Sequence, residues 1–291
     1  TVNLNNSITG NLTGSTTAAQ GTVFSNMYPQ TNAALYVTGG ATLNVTQNAS
    51  GSTWLNSDGG SNTNTWVVVT GTSTDRSSLN FTNTNSIQGF VLDADYADIT
   101  VDDAAYTGLV LKAGTTLNNS TINVDGAGDA GILIKGDVSL VSSEITTTNT
   151  GDTRDYSGIE FSIAGTGLGI GENAPGLSID AESSVTTASF GFGKEYQVKP
   201  DTVTSIAVSI TGAGKITGNM EGARNLASGD SGTPTYTIDG ITLGDTAAAK
   251  DIAVTIGNNG VVAEGAVNLS ETTVSKTTGT GMIVAVGGST V

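Results

Sequence analysis

Carboxylates dominate the chemistry this chain could perform. Asp102 and Asp103 stand side by side, and a pair of acids flanking a sugar bond is the minimum that glycoside cleavage requires. Adjacent strand residues point to opposite faces, so the two converge only if the strand has already ended. A second set, Asp98, Asp102 and Asp125 with Lys112 or Lys135, offers the oxygen ligands and the base of a calcium-dependent polysaccharide lyase. Neither spacing compels a site. The chain contains no histidine and no cysteine, which excludes a Ser-His-Asp triad, thiolate catalysis, thiolate metal sites and disulfides. Its glycines precede no helix in the manner of a phosphate loop and read as bends between strands. The expectation is a non-enzymatic protein without a cofactor.

The elements that would position these acids follow from a repeat. Ile99, Ile122 and Ile145 recur at a step of 23 residues, as do Leu109 with Ile132 and Leu117 with Leu140. Gly108 with Gly131, Lys112 with Lys135, and Ser120 with Ser143 keep the same step. Within each repeat apolar residues alternate, as in Ile122-Asn123-Val124, which is the period of strands. A unit this short cannot bury its own apolar face, so successive units must stack around one core. The pattern predicts an all-β fold, a right-handed parallel β-helix with three-stranded rungs of about 23 residues. It extends over residues 1–291 as a single domain of roughly 10 to 13 rungs. Outward from the centre, Leu79 is expected 20 residues before Ile99, Phe90 19 before Leu109, and Ile159 27 after Ile132. The excess there falls in Gly151–Ser157. Near the end, Leu269 to Val274 repeats the bend of Leu117 to Ile122.

Net charge is −16, from 26 acidic and 10 basic residues, so nucleic acid and anionic membrane surfaces are repelled at long range. Aromatic residues make up 5% and charged residues 12%, a composition near that of disordered chains, against which the strand period argues. No apolar run reaches the length of a membrane-spanning helix. A chain beginning Thr1-Val2-Asn3-Leu4 without methionine is expected to be a processed or trimmed fragment.

With the isoleucines inward, Asp98, Thr100 and Asp102 point outward, followed one repeat on by Thr121, Asn123 and Asp125, then by Glu144, Thr146 and Thr148. This flat ladder can hydrogen-bond along its length and meet a second ladder, with a solvated wall as the plain alternative. Asp98, Thr100, Asp102, Asn123 and Asp125 are its binding candidates. Val91, Val110 and Leu133 form an outward apolar row that a loop is expected to cover, with Lys112 and Lys135 beside Glu160. Lys194, Tyr196 and Lys199 lie in an irregular stretch, Gly193–Asp201, whose composition suits sugars or acidic glycans. Extruded loops often carry function, and a tolerated insertion is the alternative there.

Rungs rich in Thr, Asn and Gly, motifs such as Ala41-Thr42-Leu43-Asn44-Val45 and Ser120-Thr121-Ile122-Asn123-Val124, the absence of cysteine and the acidic charge together resemble the passenger domains of autotransporters. Among these the chain is most similar to the self-associating and adhesive passengers of enterobacteria. The resemblance implies an adhesin at the bacterial cell surface, promoting cell–cell aggregation, biofilm formation or host attachment. It implies tethering by a C-terminal outer-membrane barrel that this fragment lacks, and no membrane insertion by the fragment itself. Partners would be like passengers or host surface and matrix ligands. A binding module for an extended matrix glycan or matrix protein is the second reading, and a polysaccharide lyase the third.

Overall fold

The computed structural model describes side chains over residues 35–46, 66–82, 90–148, 158–161, 175–187, 211–212 and 214, and elsewhere backbone strands between Val2 and Ala285. The described residues form 26 strands and no helix. Strand pairs are parallel throughout and gather into sheets of 14, 10 and 2 strands. β-Branched residues alternate with Asn, Thr and Asp along these segments, a pattern suited to a half-buried pleated surface.

The central registers match the periodicity. Ile122 pairs with Ile99 and Ile145, Ile132 with Leu109, and Leu117 with Leu140. Leu79 lies opposite Ile99 and Ile159 opposite Ile132, as expected. Phe90 differs, because it meets Leu111 and not Leu109. The strand Phe90–Asp95 starts against Leu109–Lys112 and finishes against Thr115–Asn118, so one continuous strand faces two strands separated by a bend. The two-residue displacement preserves parity, and Phe90 and Leu92 remain buried. Three strands per repeat hold from Ala97 to Ile179, whereas each described repeat before Ala97 shows two. The 23-residue step is likewise local. Asn44 and Asn80 are stacked 36 residues apart, and Ser143 and Ser183 are stacked 40 apart. Leu269 pairs with Ile238 and Val274 with Leu243 in the two large sheets, in keeping with the expected bend. The segment 151–157 lies outside the described residues.

Corners between the two large sheets share one construction. Tyr96, Asn119 and Ser142 each adopt a positive φ of 47–48°, a left-handed conformation that, among non-glycine residues, Asn tolerates best and that turns the chain in a single residue. The next residue is Ala97, Ser120 or Ser143. The hydroxyl of Ser120 accepts from the amide of Ala97 at 3.0 Å and donates to the carbonyl of Asn118 at 2.6 Å. Ser143 repeats this for the amide of Ser120 and the carbonyl of Val141, and Ser183 accepts from the amide of Ser143. Ser77 does the same for Gly40 and Thr70. At the other bend Thr115 accepts from the amide of Leu92 and donates to the carbonyl of Lys112. The bend before Leu109 has a different requirement. A Cβ on Gly108 would come within 2.5 Å of the Gly131 carbonyl oxygen, and one on Gly131 within 2.6 Å of that of Gly158, so the backbone stacks there without side chains.

Inside, side chains stand in files. Leu43, Leu79, Ile99, Ile122, Ile145 and Val185 follow one another in register, all buried. The neighbouring file runs Val45, Phe81, Val101 and Val124, then continues with Thr147 and Thr187. Both threonine hydroxyls are buried without a hydrogen-bond partner, and an unsatisfied buried hydroxyl costs about 1–3 kcal/mol. Thr147→Val, which extends the Val124 chemistry by one repeat, is therefore expected to stabilise the protein by about 1 kcal/mol. Ser120→Ala should destabilise it by about 1–3 kcal/mol because it strands the Ala97 amide. Urea titration of the two variants checks this, and equal midpoints would contradict both assignments.

Candidate functional site

The ten-stranded sheet presents three outward columns. The first runs Ser78, Asp98, Thr121, Glu144, Ser184; the second Asn44, Asn80, Thr100, Asn123, Thr146, Thr186; the third Thr46, Thr82, Asp102, Asp125. Inward isoleucine and valine fix this alternation, since a slip of one residue would exchange the faces. In the second column the Asn80 amide nitrogen donates to the Asn44 side-chain oxygen at 2.9 Å. Stacked amides therefore bond along the column.

Asp98 stands in the outward column as expected and also has an internal role. A tight turn over Thr72–Asp75, closed by reciprocal backbone bonds, directs Arg76 onto the corner of the next two repeats. Its Nε lies 3.0 Å from both Asp98 carboxylate oxygens, and Nη2 lies 2.8 Å from Oδ1. Nη2 also donates to the Ala97 carbonyl and Nη1 to the Asn119 carbonyl, each at 2.8 Å. Thr121 Oγ1 donates to Asp98 Oδ1 at 2.8 Å. The carboxylate is thus a staple across successive repeats, and 40% of its side chain is still exposed. Partial burial pushes its pKa up, but the hydrogen bonds from Arg76 and Thr121 and the Arg76 charge outweigh this and hold it below the ordinary aspartate value. Beside the staple runs a shallow groove of about 330 Å³, walled by the Ser120, Ser142 and Ser143 corners and by Glu144 and Glu182. Asp180 ties together the corners at Ser142 and Ser183. It accepts from Ser183 Oγ, which chiefly lowers its pKa, and from the amides of Ser142 and Glu182.

Thr100 and Asn123 are neighbours in the second column, and Asp102 and Asp125 in the third, as their spacing predicts. Asn123, Asp102 and Asp125 are exposed. Asp125 accepts a hydrogen bond from Thr148 Oγ1. The strand ends at Asp102, and Asp103 follows with a φ of 55°, so both carboxylates emerge to solvent. Among the described residues no three acids approach closely enough to hold a metal ion. Val91, Val110 and Leu133 are covered, with at most 6% of their surface exposed. Glu160 is buried next to Leu133 in register, with Lys135 on the same face of the adjoining strand. Lys194 ends the strand Phe192–Lys194, opposite Phe161, and so belongs to a sheet and not to an irregular loop. Tyr196 and Lys199 lie outside the described residues.

The residue that sequence reasoning missed is Arg76, whose partners lie 21, 22 and 43 residues away and fall outside any single period. No protein-family model matches the chain, and no curated protein or solved structure matches it.

The staple generates a pH prediction. Asp98 and Asp180 have folded pKa values below their unfolded ones, so their contribution is fully present above about pH 4 and is lost as pH falls through the folded values. Urea midpoints should drop between pH 6 and pH 3. Asp98→Asn should lower stability at pH 6 and shrink the drop. Arg76→Ala should cost about 1–2 kcal/mol at pH 6, with solvent exposure of the pair tempering the loss. An Asp98→Asn variant with an unchanged pH slope would remove Asp98 from this role.

Proposed function

We propose that the parallel stack winds as a right-handed β-helix over the whole chain and serves as a non-enzymatic adhesion module at a bacterial cell surface. In this reading it is the passenger of an autotransporter, tethered by an outer-membrane barrel, and it joins cells by pairing with like passengers. The observation that carries the reading is the outward column Asn44, Asn80, Thr100, Asn123 and Thr146, held in register on one sheet. A rigid row of half-buried amides and hydroxyls, exposed at Asn123, presents polar groups at a fixed repeat of about 4.8 Å, which a second copy of the same row can match. Single contacts of this kind are weak, and many of them along a rod, displayed in many copies, sum through multivalency. The absence of histidine, which excludes a Ser-His-Asp triad, supports a binding role over a hydrolytic one.

Thr100→Gly with Asn123→Gly removes donors and acceptors from the column without touching the buried files. Cells displaying this variant are expected to settle more slowly in an aggregation assay, at unchanged surface level and circular dichroism. Unaltered settling, both in this variant and after reversal of Asp102 and Asp125 to lysine, would assign the face to solvated wall.

A further inference from the structure

Apart from the polar columns, the 14-stranded sheet carries an outward aromatic feature. Tyr36 and Trp66 keep 36% and 39% of their surface exposed, while the outward apolar residues Val91, Val110 and Leu133 of the same sheet are covered. Tyr36 is opposite Val68, which is opposite Asp93. Trp66 is two residues before Val68 on the same strand and opposite Val91. Both rings therefore rise from one face and flank Val68, with their Cα atoms roughly 8 Å apart at ordinary strand rise and spacing. On the same face Thr38, Thr70 and Asp95 form the next row, in register. Asp93 and Asp95 are half-buried, and Asp93 accepts from Thr116 Oγ1 through one oxygen at 3.3 Å.

We propose that Tyr36 and Trp66 form a stacking platform for a neutral saccharide chain, with Asp93 and Asp95 as hydrogen-bond acceptors for its hydroxyls. Rigid aromatic rings offer broad apolar area with little conformational entropy to lose, and the CH-lined face of a pyranose matches such a ring. Carboxylates accept from sugar hydroxyls at charge-assisted strength. The same carboxylates, on a chain of net charge −16, repel uronates and sulfated glycans, which excludes anionic glycans from the ligand class. The platform lies on a different sheet from the Thr100–Asn123 column, so it stands independently of the self-association reading.

The test titrates the full chain with cellohexaose and maltohexaose as neutral probes and with oligogalacturonate and heparin as anionic ones, by calorimetry and tryptophan fluorescence. The expected result is binding of a neutral probe that weakens about tenfold or more in Trp66→Ala and in Tyr36→Ala, the loss of one ring's stacking. Trp66→Phe and Tyr36→Phe should retain most of it, and thermal midpoints and cell aggregation should be unchanged. Failure of both neutral probes, wild-type affinity in both alanine variants, or equal binding of the anionic probes would each overturn the proposal. So would altered sedimentation of Trp66→Ala, because the rings would then be a contact with a second copy.

Discussion

A parallel stack depends on satisfying its backbone where the chain turns. Along straight segments each amide and carbonyl finds a partner one repeat away, but a left-handed corner rotates the following amide off the ladder, and a buried amide cannot be left unpaired. Ser120, Ser143 and Ser183 solve this by accepting that amide from the preceding repeat. Position 97 shows the alternative. It holds alanine, with no hydroxyl to accept, and the Ser77 amide bonds the Tyr96 carbonyl at 3.2 Å. A hydroxyl at the corner thus permits one geometry and its absence selects another, while the Ile99 file beneath is continuous through both.

Much of this was legible as period and little of it as chemistry. Ile99, Ile122 and Ile145 announce the register because burial tolerates few residue types, so a repeated environment leaves a repeated letter. Ser120 and Ser143 carry the same step, yet a recurring serine does not reveal whether its hydroxyl bonds water or backbone. The Arg76 staple left no trace, since a long side chain reaches partners at several sequence distances and needs no period. Register faltered at Phe90, where one strand faces two, because alternation fixes only the parity of a pairing. It also stretched between Ser143 and Ser183, where an insertion lengthens the step without disturbing the stack, in line with the weak dependence of closure entropy on loop length.

The outward columns combine side chains that tie successive repeats together with side chains that chiefly face solvent. Asp98 is committed to Arg76 and Thr121, and Asp125 accepts from Thr148. Asn123 and Asp102 remain exposed on this face, and Tyr36 and Trp66 on the other sheet are what the burial of Val91, Val110 and Leu133 did not include.

Charge then limits how two copies could meet. Asp102 and Asp125 are adjacent in register, and a two-fold pairing centred on that column would bring four carboxylates together, at roughly 1 kcal/mol of repulsion per close pair in water before screening. The neighbouring column of Asn44, Asn80, Thr100, Asn123 and Thr146 carries no charge, and each of its side chains has both donor and acceptor capacity. Self-complementarity therefore belongs to that column, since a donor–acceptor side chain can face its own copy whereas a carboxylate cannot. In the proposed self-association, the acidic column beside it would penalise a lateral shift by one column, so the same charges that oppose association would also define its register.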